Sequence, residues 1–299
     1  MVDERDFWIL SQLRKDPFLS YETLGKGIGL SGKAVKTRIE ALEKARILAL
    51  LQAMPAAQVF DRLPRLLFFK EPAASLDKFY SAMKIDPVVF STLDVDRRIA
   101  ILVYELSGSR KHPEELTTLL GPIDSEVTPL FPHPQRELSK PLTQAELKVL
   151  RMLVSNLRVS IKEISQKTGL SQKTAKKTRR QLLDDGLFQI QPIIQSAQSS
   201  RILMFELHVH SSDKEVLARV NENLPKSVFL NQWEPTAIVL SCWANSISEV
   251  FETERNLKNE PGVNNVLVKF HTQAILSTSR LISWIDKEIV RFEKGKHCV

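Results

Sequence analysis

An internal repeat constrains this chain more than any other feature of its sequence. Shifted by 140 positions, Ile9-Leu10, Leu13, Ser20, Leu24, Gly29-Leu30-Ser31, Lys33, Lys36, Leu42 and Ile47 fall on Val149-Leu150, Leu153, Ser160, Ile164, Gly169-Leu170-Ser171, Lys173, Lys176, Leu182 and Leu187. No gap interrupts the match over about 40 residues, which is far from a chance coincidence of apolar, glycine and lysine positions. Whatever the first half folds into, the second half folds into again.

Each copy opens with a helical stretch, over 3–46 and 143–186. Thr143-x-x-Glu146 and Ser160-x-x-Glu163 are capping boxes, in which the hydroxyl and the later carboxylate satisfy each other's backbone N–H groups. Asp3 and Ser20 stand at the matching starts of the first copy without the full box. Gly29-Leu30-Ser31 and Gly169-Leu170-Ser171 read as a tight turn in which glycine ends one helix, leucine fills the core and serine caps the next. A third helix runs from about Gly32 to Lys44 and from Gln172 to Asp184, with Val35, Ile39 and Leu42 on one apolar stripe. Ile47–Leu51 and Leu187–Ile194 are long enough for a two-stranded wing.

Beyond the helices each half follows the order βαββαβ, which predicts a four-stranded antiparallel sheet with helices on one face. Arg65–Lys70 and Arg201–His210 begin it. Val88–Leu93 with Ile99–Leu106, and Val228–Trp233 with Ala237–Trp243, are its hairpins, and Glu126–Phe131 and Asn264–Phe270 are its last strands. A final helix spans about Ala274 to Lys294. The fold class is therefore α+β: a tandem repeat of a winged helix-turn-helix followed by a ferredoxin-like module, with a C-terminal helix. The expected division is winged helix 1–62, first βαββαβ domain 63–131, Pro-rich linker 132–141, second winged helix 142–196, second βαββαβ domain 197–271 and final helix 272–299.

Lys and Arg outnumber Asp and Glu by 42 to 35, and the excess is unevenly placed. From Arg151 to Leu183 nine basic residues meet one acid, Glu163, whereas from Arg5 to Arg46 nine basic residues meet five acids. Positive charge thus gathers on the helical stretches, the second above all, and favours a polyanionic partner. The two cysteines, Cys242 and Cys298, form no CxxC pair, so neither a disulfide framework nor a cysteine zinc site is indicated. His208 and His210 share a strand face but lack a nearby third ligand, so an ordinary strand face is the expectation and no metal or cofactor is implied. The charged Asp94–Arg98 segment reads as a hairpin tip, and Trp233 and Trp243 as sheet aromatics. With no apolar run long enough to span a bilayer and no signal-like start, a cytoplasmic, membrane-free protein is expected.

The helix-turn-helix residues Leu19-Ser-Tyr-Glu-Thr-Leu24…Gly29 to Ile47, their counterparts Val159 to Leu187, and Pro261-Gly262-Val263 ahead of a strand resemble the Lrp/AsnC (feast/famine) transcription regulators, doubled in one chain. Ordinary members carry one copy. The first copy has Ala45-Arg46 where the family has Gly ahead of the wing, the second keeps Gly186, and Arg179 replaces the stripe residue Ile39. The resemblance implies duplex DNA as partner and a RAM-type sensing module, with Gly121 and Gly262 near an amino-acid or other small-molecule effector. It also implies pairing as a homodimer or as an intramolecular pseudo-dimer whose heads take half-sites about one helical turn, or a multiple of it, apart.

A third helix lying in the major groove presents its early residues to base edges and its flanks to phosphates. That assigns DNA binding to Ser31, Lys33, Lys36, Thr37 and Arg38 in the first copy, and to Ser171, Gln172, Lys173, Thr174, Lys176, Lys177 and Arg180 in the second. Gly32 and Ala34 read bases poorly, so the second head should dominate. Lys36, Arg38, Lys176, Arg179 and Arg180 suit phosphate or the protein's own acids. No Ser-His-Asp order, phosphate-cradling glycine loop or HExxH points to catalysis, and the expectation is no enzyme. Two alternatives share the pattern: a siroheme decarboxylase-like enzyme, for which Gln191–Ser200 supplies no Arg/His cluster, and an interaction protein with retired DNA heads.

Overall fold

The computed structural model describes residues 3–44, 48–70, 75–106, 114–127, 141–194, 203–224, 228–234 and 236–293. The Pro-rich linker, Ala45-Arg46, Cys298 and most of Gln191–Ser200 lie outside them. Head 1 comprises α1 (Glu4–Lys15), α2 (Tyr21–Ile28) and α3 (Gly32–Lys44); head 2 repeats it with α6 (Gln144–Ser155), α7 (Ile161–Thr168) and α8 (Gln172–Asp184). Asp3 forms a full reciprocal capping box, taking the Asp6 N–H while Asp6 Oδ2 accepts its own N–H at 2.9 Å. The sequence reading missed it by looking for Glu or Gln at that place. Gly29 and Gly169 end α2 and α7 at φ 67° and 74°, as the turn requires. Head 1 closes on a small core of Ile9, Leu13, Leu24, Val35 and Ile39.

The strands expected as wings form, but each pairs with the other half. β1 (Leu48–Pro55) and β6 (Phe188–Ile194) make a two-stranded antiparallel ribbon with Gln52 opposite Gln191 and Pro55 opposite Phe188. An apolar extended segment announces a strand and not its partner. Here two copies of the same segment satisfy each other's open edges.

The first βαββαβ unit holds β2 (Arg62–Phe69), α4 (Leu76–Ala82), β3 (Val88–Asp94), β4 (Ile99–Leu106), α5 (Glu114–Leu120) and β5 (Ile123–Val127). The second holds β7 (Leu203–His210), α9 (Lys214–Asn223), β8 (Val228–Glu234), β9 (Ala237–Ala244), α10 (Ile247–Lys258) and β10 (Asn265–Lys269). The second sheet runs β10-β7-β9-β8, the ferredoxin-like order expected of four strands connected this way. The first gains a fifth strand, β11 (His271–Leu276), at the edge beside β3. The final helix, α11 (Thr278–Glu293), therefore starts at Thr278 and not Ala274. His271 to Leu276 carry both periodicities, and an unpaired edge in the distant first sheet decides for strand.

The last segment of the second half is thus built into the first. α11 then bridges sheet and head: Arg280 donates to the carbonyls of Met83 and Lys84 and of Val88 at the start of β3, and Arg151 of α6 pairs with Asp286 at 2.5 Å. One continuous core joins head 2, the ribbon, the outer face of the first sheet and α11 through Leu150, Leu153, Met54, Tyr104, Trp284 and Ile285. Head 1 leans on the second sheet instead, Phe7 stacking on Trp243 at 4.7 Å. The two halves are thus paired to each other within one chain through the β1–β6 ribbon and β11.

Where the sheets meet, charge is buried. His271 on β11 reaches Asp94 of β3 with Nδ1 at 2.5 Å and Glu206 of β7 with Nε2 at 2.6 Å. Burial opposes the imidazolium, but the two carboxylates outweigh it and push His271 up to about 10. Burial likewise opposes the Glu206 carboxylate, and His271 and His208 outweigh it, holding it well below its ordinary range.

Candidate nucleic-acid interface

The helix-turn-helix geometry presents the early turns of α3 and α8 outward, because their apolar stripes face inward. Val35, Ile39 and Leu42 are buried on α3; Ala175, Leu182 and Leu183 are buried on α8. On α8 the residues between them, Gln172, Lys173, Lys176 and Lys177, are exposed. Among the described residues these three lysines have no acidic partner within ion-pair distance. On α3, Lys33 is exposed, while Lys36 sits 3.6 Å from Glu40 one turn on.

The small polar residues assigned to DNA are occupied by their own helices. Ser171 Oγ accepts the Thr174 N–H at 3.1 Å and lies 2.9 Å from its hydroxyl; Ser31 Oγ accepts the Ala34 N–H at 3.2 Å. Thr37 donates its hydroxyl to the Lys33 carbonyl. The caps leave α8 starting cleanly at Gln172, with two lysine-bearing turns and no acidic residue in the first turn.

Several arginines face protein. Arg38 reaches Asp3 at 3.0 Å and Asp6 at 2.9 Å, tying α3 to the start of α1; Asp6 is buried, and its acceptance of the guanidinium raises the Arg38 pKa. Arg180 reaches back to head 1, Nη1 lying 2.6 Å from Asp16 Oδ2, and also meets Asp184 one turn along at 2.9 Å. Arg179, at the stripe place of Ile39, lies 4.0 Å above the Phe18 ring of head 1; burial lowers its pKa, Asp16 opposing. Arg158 lies 4.6 Å over Tyr21. The two heads therefore touch through Asp16, Phe18 and Tyr21 on one side and Arg158, Arg179 and Arg180 on the other. The sequence reading gave Asp16, Phe18 and Arg158 no role. Their only signal was failure of the repeat, Asp16 standing against Asn156 and Phe18 against Arg158.

The effector candidates occupy equivalent turns, Gly121 at φ 89° and Gly262 at φ 87°. Gly262 is closely packed: a Cβ there would come 2.7 Å from Val216 Cγ2, and its carbonyl accepts the Ser211 hydroxyl at 2.8 Å. An open surface depression beside α5, the helix that Gly121 follows, is lined by Glu114, Glu115, Thr118 and Leu119. His208 lies 3.4 Å from Glu206, and no group of three His, Cys, Asp or Glu able to hold a metal is found among the described residues. No described helix is long and apolar enough to cross a membrane.

The family described as winged helix-turn-helix DNA-binding matches residues 2–49 and 142–189, so the chain carries two such domains, at the two places the repeat predicted. No curated protein matches the sequence. Over the whole length the fold is similar to the crystal structure of the siroheme decarboxylase NirDL, at 14% identity and a TM-score of 0.54, covering 98% of this chain and 100% of that one. The same enzyme in complex with an iron-uroporphyrin III analogue matches at 13% and 0.53. LrpC of B. subtilis is 19% identical with a TM-score of 0.33, over 46% of this chain and 96% of its own. The resemblance read from the sequence holds for the doubled winged-helix fold. The expectation of no enzyme does not stand: the fold of the whole chain is one that an enzyme also uses.

Proposed function

We propose that the protein is a DNA-binding transcription regulator whose two heads, paired within one chain, engage duplex DNA chiefly through α8. The observation that carries this reading is the outward Lys173, Lys176 and Lys177, set on a capped helix with no acid opposite them among the described residues. Gln172, exposed at the first helical position, has the amide that pairs bidentately with adenine. Phosphate contact releases counterions, so binding weakens with salt by about 0.9 logarithmic units per contact. Lys173→Ala, Lys176→Ala and Lys177→Ala together should lower that slope by up to about 2.7, and Lys33→Ala by no more than about 0.9. Anisotropy titrations of a labelled duplex at several salt concentrations measure both. An unchanged slope in the triple variant removes α8 from the interface. In this reading the protein works in the cytoplasm, and the sheets adjust the heads in response to a small molecule near Gly121 or Gly262.

The full-length likeness to NirDL favours a second reading, a siroheme decarboxylase-like enzyme on the same fold. Siroheme titrated into the protein and followed by absorbance separates the two. A spectrum identical to that of free siroheme at every ratio eliminates the enzyme reading.

A further inference from the structure

We propose that head 1 restrains the second recognition helix, withholding Arg180 from DNA. The inference rests on the DNA reading of α8. α8 carries five basic residues, and the contact between heads divides them. Lys173, Lys176 and Lys177 point outward, while Arg179 and Arg180, in the next turn, are engaged by Phe18 and Asp16. Arg180 is about half exposed at the head boundary and is gripped from both sides, by Asp16 of head 1 at 2.6 Å and by Asp184 of its own helix at 2.9 Å.

The repeat provides an internal control. Asp16 and Asn156 are equivalent, and both close the same turn after the first helix: Asp16 Oδ1 accepts the Phe18 N–H at 2.9 Å, and Asn156 Oδ1 accepts the Arg158 N–H at 3.0 Å. The local turn needs only the carbonyl-type oxygen that asparagine also has. The charge of Asp16 is superfluous to its own turn, and what it does instead is hold Arg180. Opposite Asn156 the equivalent of Arg180 is Glu40, which pairs with Lys36 instead. The restraint thus runs one way, from head 1 to head 2. Exposed pairs of this kind are worth little, so a modest change should release the arginine.

Asp16→Asn keeps the turn and removes the charge. In anisotropy titrations against a labelled duplex it should tighten binding by about two- to fivefold, the worth of one half-exposed ion pair. It should also steepen the salt slope by up to about 0.9, one added phosphate contact. In an Arg180→Gln background the same substitution should change neither, which separates release of the arginine from the mere loss of a negative charge near DNA. Equal slopes for parent and Asp16→Asn, weaker binding by Asp16→Asn, or a gain that survives Arg180→Gln would each overturn the inference while leaving α8 a DNA helix. Failure of parent and variant alike to bind any duplex would instead overturn the DNA reading, and this inference with it.

Discussion

The buried imidazolium between the two sheets makes the strongest demand on stability. Raising His271 from its ordinary 6.5 to about 10 corresponds to about 5 kcal/mol favouring the folded state, an upper bound comparable to the roughly 3–5 kcal/mol lost when one member of a buried ion pair is removed. Because the folded pKa lies above the unfolded one, this stabilisation is complete below pH 6.5 and drains away as pH rises towards 10. The folded protein then binds one more proton than the unfolded chain, and the unfolding free energy should fall by up to about 1.4 kcal/mol per pH unit between pH 7 and 10. Glu206 has the opposite sign: its pKa is depressed, so its contribution is present above the ordinary 4.5 and is lost as pH falls through the lower folded value. The cluster is therefore most stabilising between about pH 4.5 and 6.5. Urea unfolding followed by tryptophan fluorescence at pH 6, 7, 8 and 9 measures the slope. His271→Gln leaves Asp94 and Glu206 confronting each other without the cation, so the variant should be less stable at pH 7 and should regain stability on acidification. If the variant retains the parent's alkaline slope, the charged imidazole is not what joins the sheets.

Two glycines supply further tests. A Cβ on Gly25 would lie 2.2 Å from the Leu30 carbonyl oxygen, so Gly25→Ala should force α2 from the turn and cost about 1–3 kcal/mol, read as a lower melting temperature of head 1. Ser165 holds the equivalent place in head 2 and donates to the Leu170 carbonyl at 2.7 Å, so Ser165→Ala should cost only about 1 kcal/mol. Gly262→Ala meets both a left-handed φ of 87° and Val216 at 2.7 Å, and should destabilise the second sheet unit by about 1–3 kcal/mol in urea melts.

What was legible in the sequence was local. Caps, left-handed glycines and apolar stripes act within a few residues, and the turns at Gly29 and Gly169 form where the Gly-Leu-Ser triplets put them. The order βαββαβ implied the sheet connectivity because hairpins leave few topologies open. Pairing between halves was not legible. β1 and β6 satisfy each other over a sequence distance that no periodicity encodes, and β11 joins the other half's sheet on the strength of an open edge. The site divided along the same line. Exposure of Lys173, Lys176 and Lys177 followed from the stripe of α8, whereas the engagement of Arg38 by Asp3 and Asp6, and of Arg180 by Asp16, depended on which distant acids folding brought near. Nothing in the sequence singled out His271, whose chemistry exists only where three strands converge.

Fusion changes what a paired regulator fold is able to do. Two identical chains about a two-fold axis must make every contact twice, so a residue that restrains the partner's helix also restrains its own. A single chain is free of that constraint, and this one departs from equivalence where its heads touch: Asp16 against Asn156, Phe18 against Arg158, Ile39 against Arg179, Glu40 against Arg180. Each departure moves positive charge to head 2 or an acceptor for it to head 1. The cross-wiring of the sheets is unequal too, α11 fastening the first sheet to head 2 while Phe7 and Trp243 fasten the second sheet to head 1. The two sheets are therefore joined to different heads by different contacts. If the DNA reading of α8 holds, such a scaffold allows a division of labour between a strongly basic head that meets DNA and a weaker head that sets its reach.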